Sequence, residues 1–126
     1  MIIDGKKLAA DILLEVKNEI GKLAFQPIFC DILVGNDAAS AQYVDMKART
    51  GEKAGIKFRR AQYPENINTQ DLISEIHKIG QEPDIRGLIV QLPLPPSIDR
   101  EAVLNAIDPK IDVDSTGQVN TDLFFQ

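Results

Sequence analysis

Apolar runs of strand length alternate with segments of helical period along the whole chain, and this alternation limits the fold more than any single motif. Ile28-Phe29-Cys30-Asp31-Ile32-Leu33-Val34 is a mostly apolar run between Pro27 and Gly35. Ile56 to Tyr63 alternates weakly, as an edge strand does, and Leu88-Ile89-Val90-Gln91-Leu92 is apolar enough for a central strand. A first helix, which Asp4 can cap, runs to about Leu23, with Leu8, Ala9, Ile12, Leu13, Val16 and Ile20 as its core face. A second follows the turn Gly35-Asn36-Asp37, capped by Asn36 or Asp37 and closed by Gly55. Asn68 or Thr69 caps a third, whose buried stripe is Leu72, Ile73, Ile76 and Ile79, ending at Gly80. A short helix begins at Ile98 or Asp99, buries Ala102, Val103, Leu104 and Ile107, and ends at Asp108-Pro109. Strands and helices in this order predict an α/β fold: one three-layer domain over residues 1–126, a mostly parallel sheet flanked by helices.

Several function classes drop out. A net charge of −5 argues against a nucleic-acid binder, which needs a basic face. No apolar run reaches the roughly 18 residues of a membrane span, and Met1-Ile2-Ile3-Asp4-Gly5 does not read as a signal peptide. One cysteine, Cys30, excludes an internal disulfide and points to the cytoplasm. One histidine and one cysteine make a transition-metal site a poor expectation, and His77 reads as a surface residue. Lys57, Arg59 and Arg60 are a modest basic cluster that suits edge protection.

The stretch from Val34 to Lys47 carries the chemistry. On a helix after the Gly35 turn, Ser40, Tyr43 and Lys47 fall within about 60° of one another. Ala41, Val44 and Ala48 form a small-residue stripe beside them, suited to packing on a sheet. A phenol, an ammonium and a hydroxyl then line the border of a buried face. The plainer alternative is an ordinary helix margin with Lys47 snorkelling to solvent. Tyr-x-x-x-Lys also occurs in short-chain dehydrogenases, but those place it after a Gly-rich dinucleotide turn, and only one helix and one strand precede Tyr43 here. In parallel sheets ligands bind beyond the carboxyl ends of the strands. There this sequence brings the turn after Val34, Gln91 with the bend Pro93-Leu94-Pro95-Pro96, and a polar loop over Asp112–Gly117. Gln91 closes an apolar strand, so its amide needs partners, either a site residue or neighbouring backbone.

Taken together, Val34-Gly35 with Ser40-x-x-Tyr43-x-x-x-Lys47, then Val90-Gln91-Leu92-Pro93-Leu94-Pro95, then Asp112-Val113-Asp114 resemble the bifunctional methylenetetrahydrofolate dehydrogenase/methenyltetrahydrofolate cyclohydrolase family. Gly55-Ile56 and Ile107-x-Pro109 agree with it in order and spacing, and the resemblance covers nearly the whole chain as the family's N-terminal catalytic domain. It implies a folate substrate and an enzyme of one-carbon metabolism. Lys47 would be the general acid/base, Tyr43 would pack on the pterin or its attached ring and hold Lys47, and Gln91 would hydrogen-bond Lys47. Asp114 would accept from the amino-pyrimidine edge, and Ser40, Pro93 and Leu94 would contact substrate. Partial burial of Lys47 would make proton transfer near neutral pH easier.

Two departures stand out. The family pattern Lys-Asp-Val-Asp-Gly is Ile111-Asp112-Val113-Asp114-Ser115 here, so Ser115 is strained if the family's glycine has φ > 0. The nicotinamide-binding domain, with its Gly-rich turn, is not in these 126 residues. NADP or NAD is then expected only through such a second domain, whether this is an excised domain or a short natural protein. The dehydrogenase step is not expected from this chain alone, whereas hydrolysis of methenyl- to formyl-tetrahydrofolate needs no nicotinamide. A homodimer or a separate nicotinamide-binding chain are the partners expected beside the folate. Rival readings are a non-catalytic folate-binding module and an interaction scaffold. The apolar end Leu123-Phe124-Phe125, which either docks on the domain or meets something outside it, is the hint for the latter.

Overall fold

In the computed structural model, residues 3–125 are described; Met1, Ile2 and Gln126, at the ends of the expected 1–126 domain, lie outside them. The order is α1 (Gly5–Ile20), β1 (Ile28–Val34), α2 (Ala38–Lys53), β2 (Lys57–Tyr63), α3 (Thr69–Gly80), β3 (Ile85–Val90), α4 (Arg100–Asn105) and α5 (Gln118–Phe124). Four of these helices start on an Asx side chain that accepts a hydrogen bond from the backbone N–H three residues on. The pairs are Asp4 with Lys7, Asp37 with Ser40, Asn68 with Asp71 and Asp99 with Ala102. Each such cap contributes about 1 kcal/mol by satisfying an orphan donor. Gly55, at φ 91°, turns the chain out of α2, where a side chain would be strained.

The sheet is parallel, in the order β2-β1-β3. This corrects the expectation that Leu88–Leu92 forms a central strand: β1 is central and β3 lies at an edge. The apolarity of β3 reflects cover, not position. Leu88 N donates to Ile111 O at 2.8 Å and Leu88 bridges Asp112, so the chain's own return blunts the outer edge of β3. Period-2 alternation sends Cys30, Ile32 and Val34 of β1 to one face, where they join Leu72, Ile76 and Ile79 of α3, Leu88 and Val90 of β3, and Val103 and Leu104 of α4. Val44 and Ala48 of α2 are buried as well, and α2 packs on β1 and β2.

Helix α1 forms where its period predicts, but its face is not core. None of its residues is buried; Leu8 and Ile12 are about half exposed, and only Leu13 and Ile20 are partly covered. Helical period reveals which face is apolar, not what will cover it, and no described element packs over this one. Phe124 and Phe125 are likewise exposed and stack edge-to-face on each other at 5.3 Å. Among the described residues no helix is long and apolar enough to cross a membrane.

Candidate active site

Gly35, at φ 83°, turns the chain out of β1, and its N–H reaches Tyr63 O at 2.9 Å. Asp37 caps α2, Ser40 is buried in its first turn, and Val44 and Ala48 anchor the helix to the sheet. Lys47 sits beside that anchored stripe, so its stem lies over the sheet and its side chain is only 19% exposed. Nζ donates to Gln91 Oε1 at 2.8 Å, 44 residues away in sequence. Gln91 Nε2 donates to Leu92 O at 3.1 Å, and Gln91 N to Ile32 O at 2.8 Å. Both partners considered for Gln91 are therefore present. An ammonium has no lone pair, so the amide oxygen must face it. Tyr43, about half exposed, lies one turn before Lys47 with its ring centroid 5.0 Å from Nζ, a cation–π distance. Lys47 is thus directed into the protein and is not a snorkelling margin residue.

Sequence reasoning passed over a fourth member, Asp31. It lies in mid-β1, fully buried, and its Oδ2 makes an ion pair with Lys47 Nζ. Neither carboxylate oxygen meets hydrogen-bond geometry with any described donor. Burial pushes the Asp31 carboxyl above the usual carboxylate range; Lys47 pulls it back, and the nearby charge of Asp114 adds to the rise. The signal was in the sequence: an acid at a strand position whose neighbours are Cys30 and Ile32.

The other expected residues divide. Pro93, after a cis Leu92–Pro93 bond, and half-buried Leu94 line a hollow of about 390 Å³ with Gly35, Asn36, Asp37 and Glu65. The turn after β1 and the Pro-rich bend therefore meet at the carboxyl edge of the sheet. A second hollow, about 340 Å³, lies under α2 and joins Lys47 to Phe29, Met46, Ile56 and Phe58. A wider one, about 750 Å³, follows the outer side of α2 past Tyr43 and Arg49 but reaches neither Asp31 nor Gln91, so the polar cluster defines the site better than volume does. Asp114 is exposed in the loop beyond Asp112. Buried Asp112 fixes that loop, accepting from Gly117 N at 2.9 Å and Thr116 N at 3.3 Å. Ser115 has φ 53°, so the strain anticipated at this position is present.

Among the described residues no cluster of three or more His, Cys, Asp or Glu could hold a metal. Cys30 is buried and its thiol is pushed up to about 11, so it holds its proton at neutral pH. The chemistry available is proton transfer by an amine held between a carboxylate and an amide, beneath a phenol ring.

Residues 3–114 match the family model described as tetrahydrofolate dehydrogenase/cyclohydrolase, catalytic domain. The bifunctional protein FolD of Methanospirillum hungatei is 44% identical over 120 residues, covering 95% of this chain and 43% of that protein. Its Enterococcus faecalis counterpart is 39% identical over 127 residues, covering 98% and 45%. The chain thus spans less than half the length of these curated relatives. Among solved structures, the bifunctional FolD methylenetetrahydrofolate dehydrogenase/cyclohydrolase of Campylobacter jejuni has a TM-score of 0.89 at 34% identity, covering 94% of this chain and 43% of that one. The Trypanosoma brucei N5,N10-methylenetetrahydrofolate dehydrogenase-cyclohydrolase, complexed with NADP cofactor and inhibitor, has a TM-score of 0.89 at 29% identity, covering 97% and 43%. The chain belongs to the tetrahydrofolate dehydrogenase/cyclohydrolase family, whose catalytic-domain model it matches.

Proposed function

We propose that this family member binds a tetrahydrofolate one-carbon derivative at the carboxyl edge of its sheet and that Lys47 is the general acid/base there. The observation that carries the reading is the Lys47 Nζ to Gln91 Oε1 hydrogen bond at 2.8 Å, under the ring of Tyr43. In hydrolysis of methenyl-tetrahydrofolate, a water oxygen bonds to the bridging carbon while its proton passes to the Lys47 amine. The C=N electron pair returns to nitrogen. Lys47 then returns the proton to the departing nitrogen as one C–N bond breaks; the hydroxyl oxygen closes the C=O and gives up its own proton to solvent, leaving the formyl product. Gln91 keeps Nζ aimed through both transfers, a positioning role. Tyr43 offers its exposed ring to the flat substrate, and Asp114 offers a carboxylate to its amino-pyrimidine edge. Ser40, Pro93 and Leu94 shape the cleft around them.

The oxidation of methylene-tetrahydrofolate also needs a nicotinamide, and these residues do not fit its pyrophosphate. The connection into α2 holds a single glycine, and those into α3 and α4 hold none. No hydride step is assigned to this chain's residues. A nicotinamide-binding domain in the same polypeptide or in a companion chain would supply it, and a homodimer is compatible with this reading. The setting we propose is the cytoplasm.

The test follows methenyl-tetrahydrofolate hydrolysis by the purified protein. Lys47→Met is expected to lower turnover by about 10²–10⁴-fold while substrate still binds. Unchanged turnover in that variant would remove Lys47 from the mechanism. Saturable folate binding without turnover in the natural protein would make it a binding module.

A further inference from the structure

Asp31 is a buried carboxylate to which the chemistry above gives no part. Packing alone would not select it. Its strand neighbours are apolar, it is fully buried, and Oδ1 has no described donor within reach, a costly arrangement for a polar group. Two cations lie near it. Arg60 is its register partner on β2, so both side chains leave the same face of the sheet. The Arg60 guanidinium, however, is paired with Asp45 of α2. Lys47 is thus the cation in direct contact with Asp31, and Gln91 binds the same Nζ from the end of β3.

We propose that Asp31 is the positioning counter-ion of Lys47: from the floor of the sheet it pairs with the side-chain nitrogen and holds it against Gln91. The proposal rests on the acid/base role given to Lys47. The geometry makes the two contacts complementary. Gln91 supplies direction without charge, and Asp31 supplies charge without a well-formed hydrogen bond. The Tyr43 ring on its own helix also lies against Nζ, and the other charges acting on Asp31 are Arg60, itself paired with Asp45, and Asp114 in the loop. None of them replaces the Asp31 charge, because each is neutral as a unit, self-paired or exposed.

The experiment is competitive labelling of lysine amines with acetic anhydride across pH, read by mass spectrometry on the peptides carrying Lys47 and, as internal reference, exposed Lys110. In Asp31→Asn the Lys47 labelling midpoint is expected to fall by roughly 1–3 pH units, with Lys110 unmoved. Asp31→Val removes the charge and also the orphaned oxygen, so it keeps the measurement possible if the Asn variant fails to fold. A Lys47 midpoint unchanged in a folded Asp31 variant overturns the proposal, as does an equal shift at Lys110. The pH–rate profile for methenyl-tetrahydrofolate hydrolysis should move in the same direction, by the same amount, as the labelling midpoint. The two readings fail separately. Activity retained in Lys47→Met defeats the acid/base role, whereas an unmoved labelling midpoint defeats only the part given to Asp31.

Discussion

Strand β1 presents two faces of opposite character. Cys30, Ile32 and Val34 face α3 and α4 in a dry apolar core, while one residue over, on the α2 side, Asp31 meets Lys47. The first face gains stability by removing apolar surface from water, worth roughly 25 cal/mol per Å². The second gives some of that up, because a buried ion pair seldom repays its desolvation as well as close-packed hydrocarbon does. Two residues of opposite purpose can be neighbours because side chains in a strand alternate strictly between faces. A shift of one residue along this strand separates the packed apolar face from the ion pair.

Removing packing from the first face should have the largest effect on stability. Ile32→Ala is expected to cost about 2–5 kcal/mol in urea denaturation, with turnover per folded molecule unchanged. A loss well under 1 kcal/mol would mean that this face is not the stabilising one.

Breaking the pair on the other face should cost less, and in a pH-dependent way. Lys47→Met leaves Asp31 buried without its cation, and the cost is expected to be about 1–3 kcal/mol at pH 8, below that of a fully buried pair because Lys47 is partly exposed. Burial raises the Asp31 proton affinity in the folded state, so between the unfolded and folded carboxyl ranges the folded protein binds a proton that the unfolded chain has released; above that window Asp31 is the anion that pairs with Lys47. Its stabilising contribution is therefore full below the unfolded carboxyl range and is lost as pH rises. Without Lys47 that loss should steepen, so thermal melts should separate variant from parent more at pH 8 than at pH 5. Adding Asp31→Val should remove the pH dependence. A gap independent of pH would show that Asp31 is not the group responsible.

The smallest effect belongs to the loop that carries Asp114. Ser115→Gly relieves a left-handed backbone and is expected to add about 1 kcal/mol, seen as a rise of a few degrees in Tm. Loss of stability there would mean that the Ser115 side chain makes a contact outweighing its strain.

The faces also differ in how readily they were read. The apolar face was visible as period: Leu72, Ile76, Ile79, Val103 and Leu104 are buried where helical spacing put them. The Asx caps stood next to each helical pattern, and His77 is exposed as its place on α3 suggested. Tyr43 and Lys47 share a helix, and helical geometry alone brings them together. Asp31 was hidden by its setting, because a run of seven mostly apolar residues reads as a strand whatever its single acid is for. Leu88–Leu92 was misplaced to the centre because apolarity measures cover, and the covering residues near Ile111 come later in the chain.

Sequence by itself determined three strands and four helices, their order, and hence a parallel α/β fold, because these follow from periods and caps within a few residues of each other; the short α5, which starts at Gly117 without a side-chain cap, was not among them. Sequence also determined the residue types available for chemistry. Tertiary structure decided which of them meet. Lys47 joins Gln91 across 44 positions and Asp31 across the space between α2 and β1, contacts that depend on strand register and on the seating of α2 over the sheet. It decided, too, that α1 would carry its apolar face uncovered, since the period of a helix records a preference for burial and only packing supplies the partner.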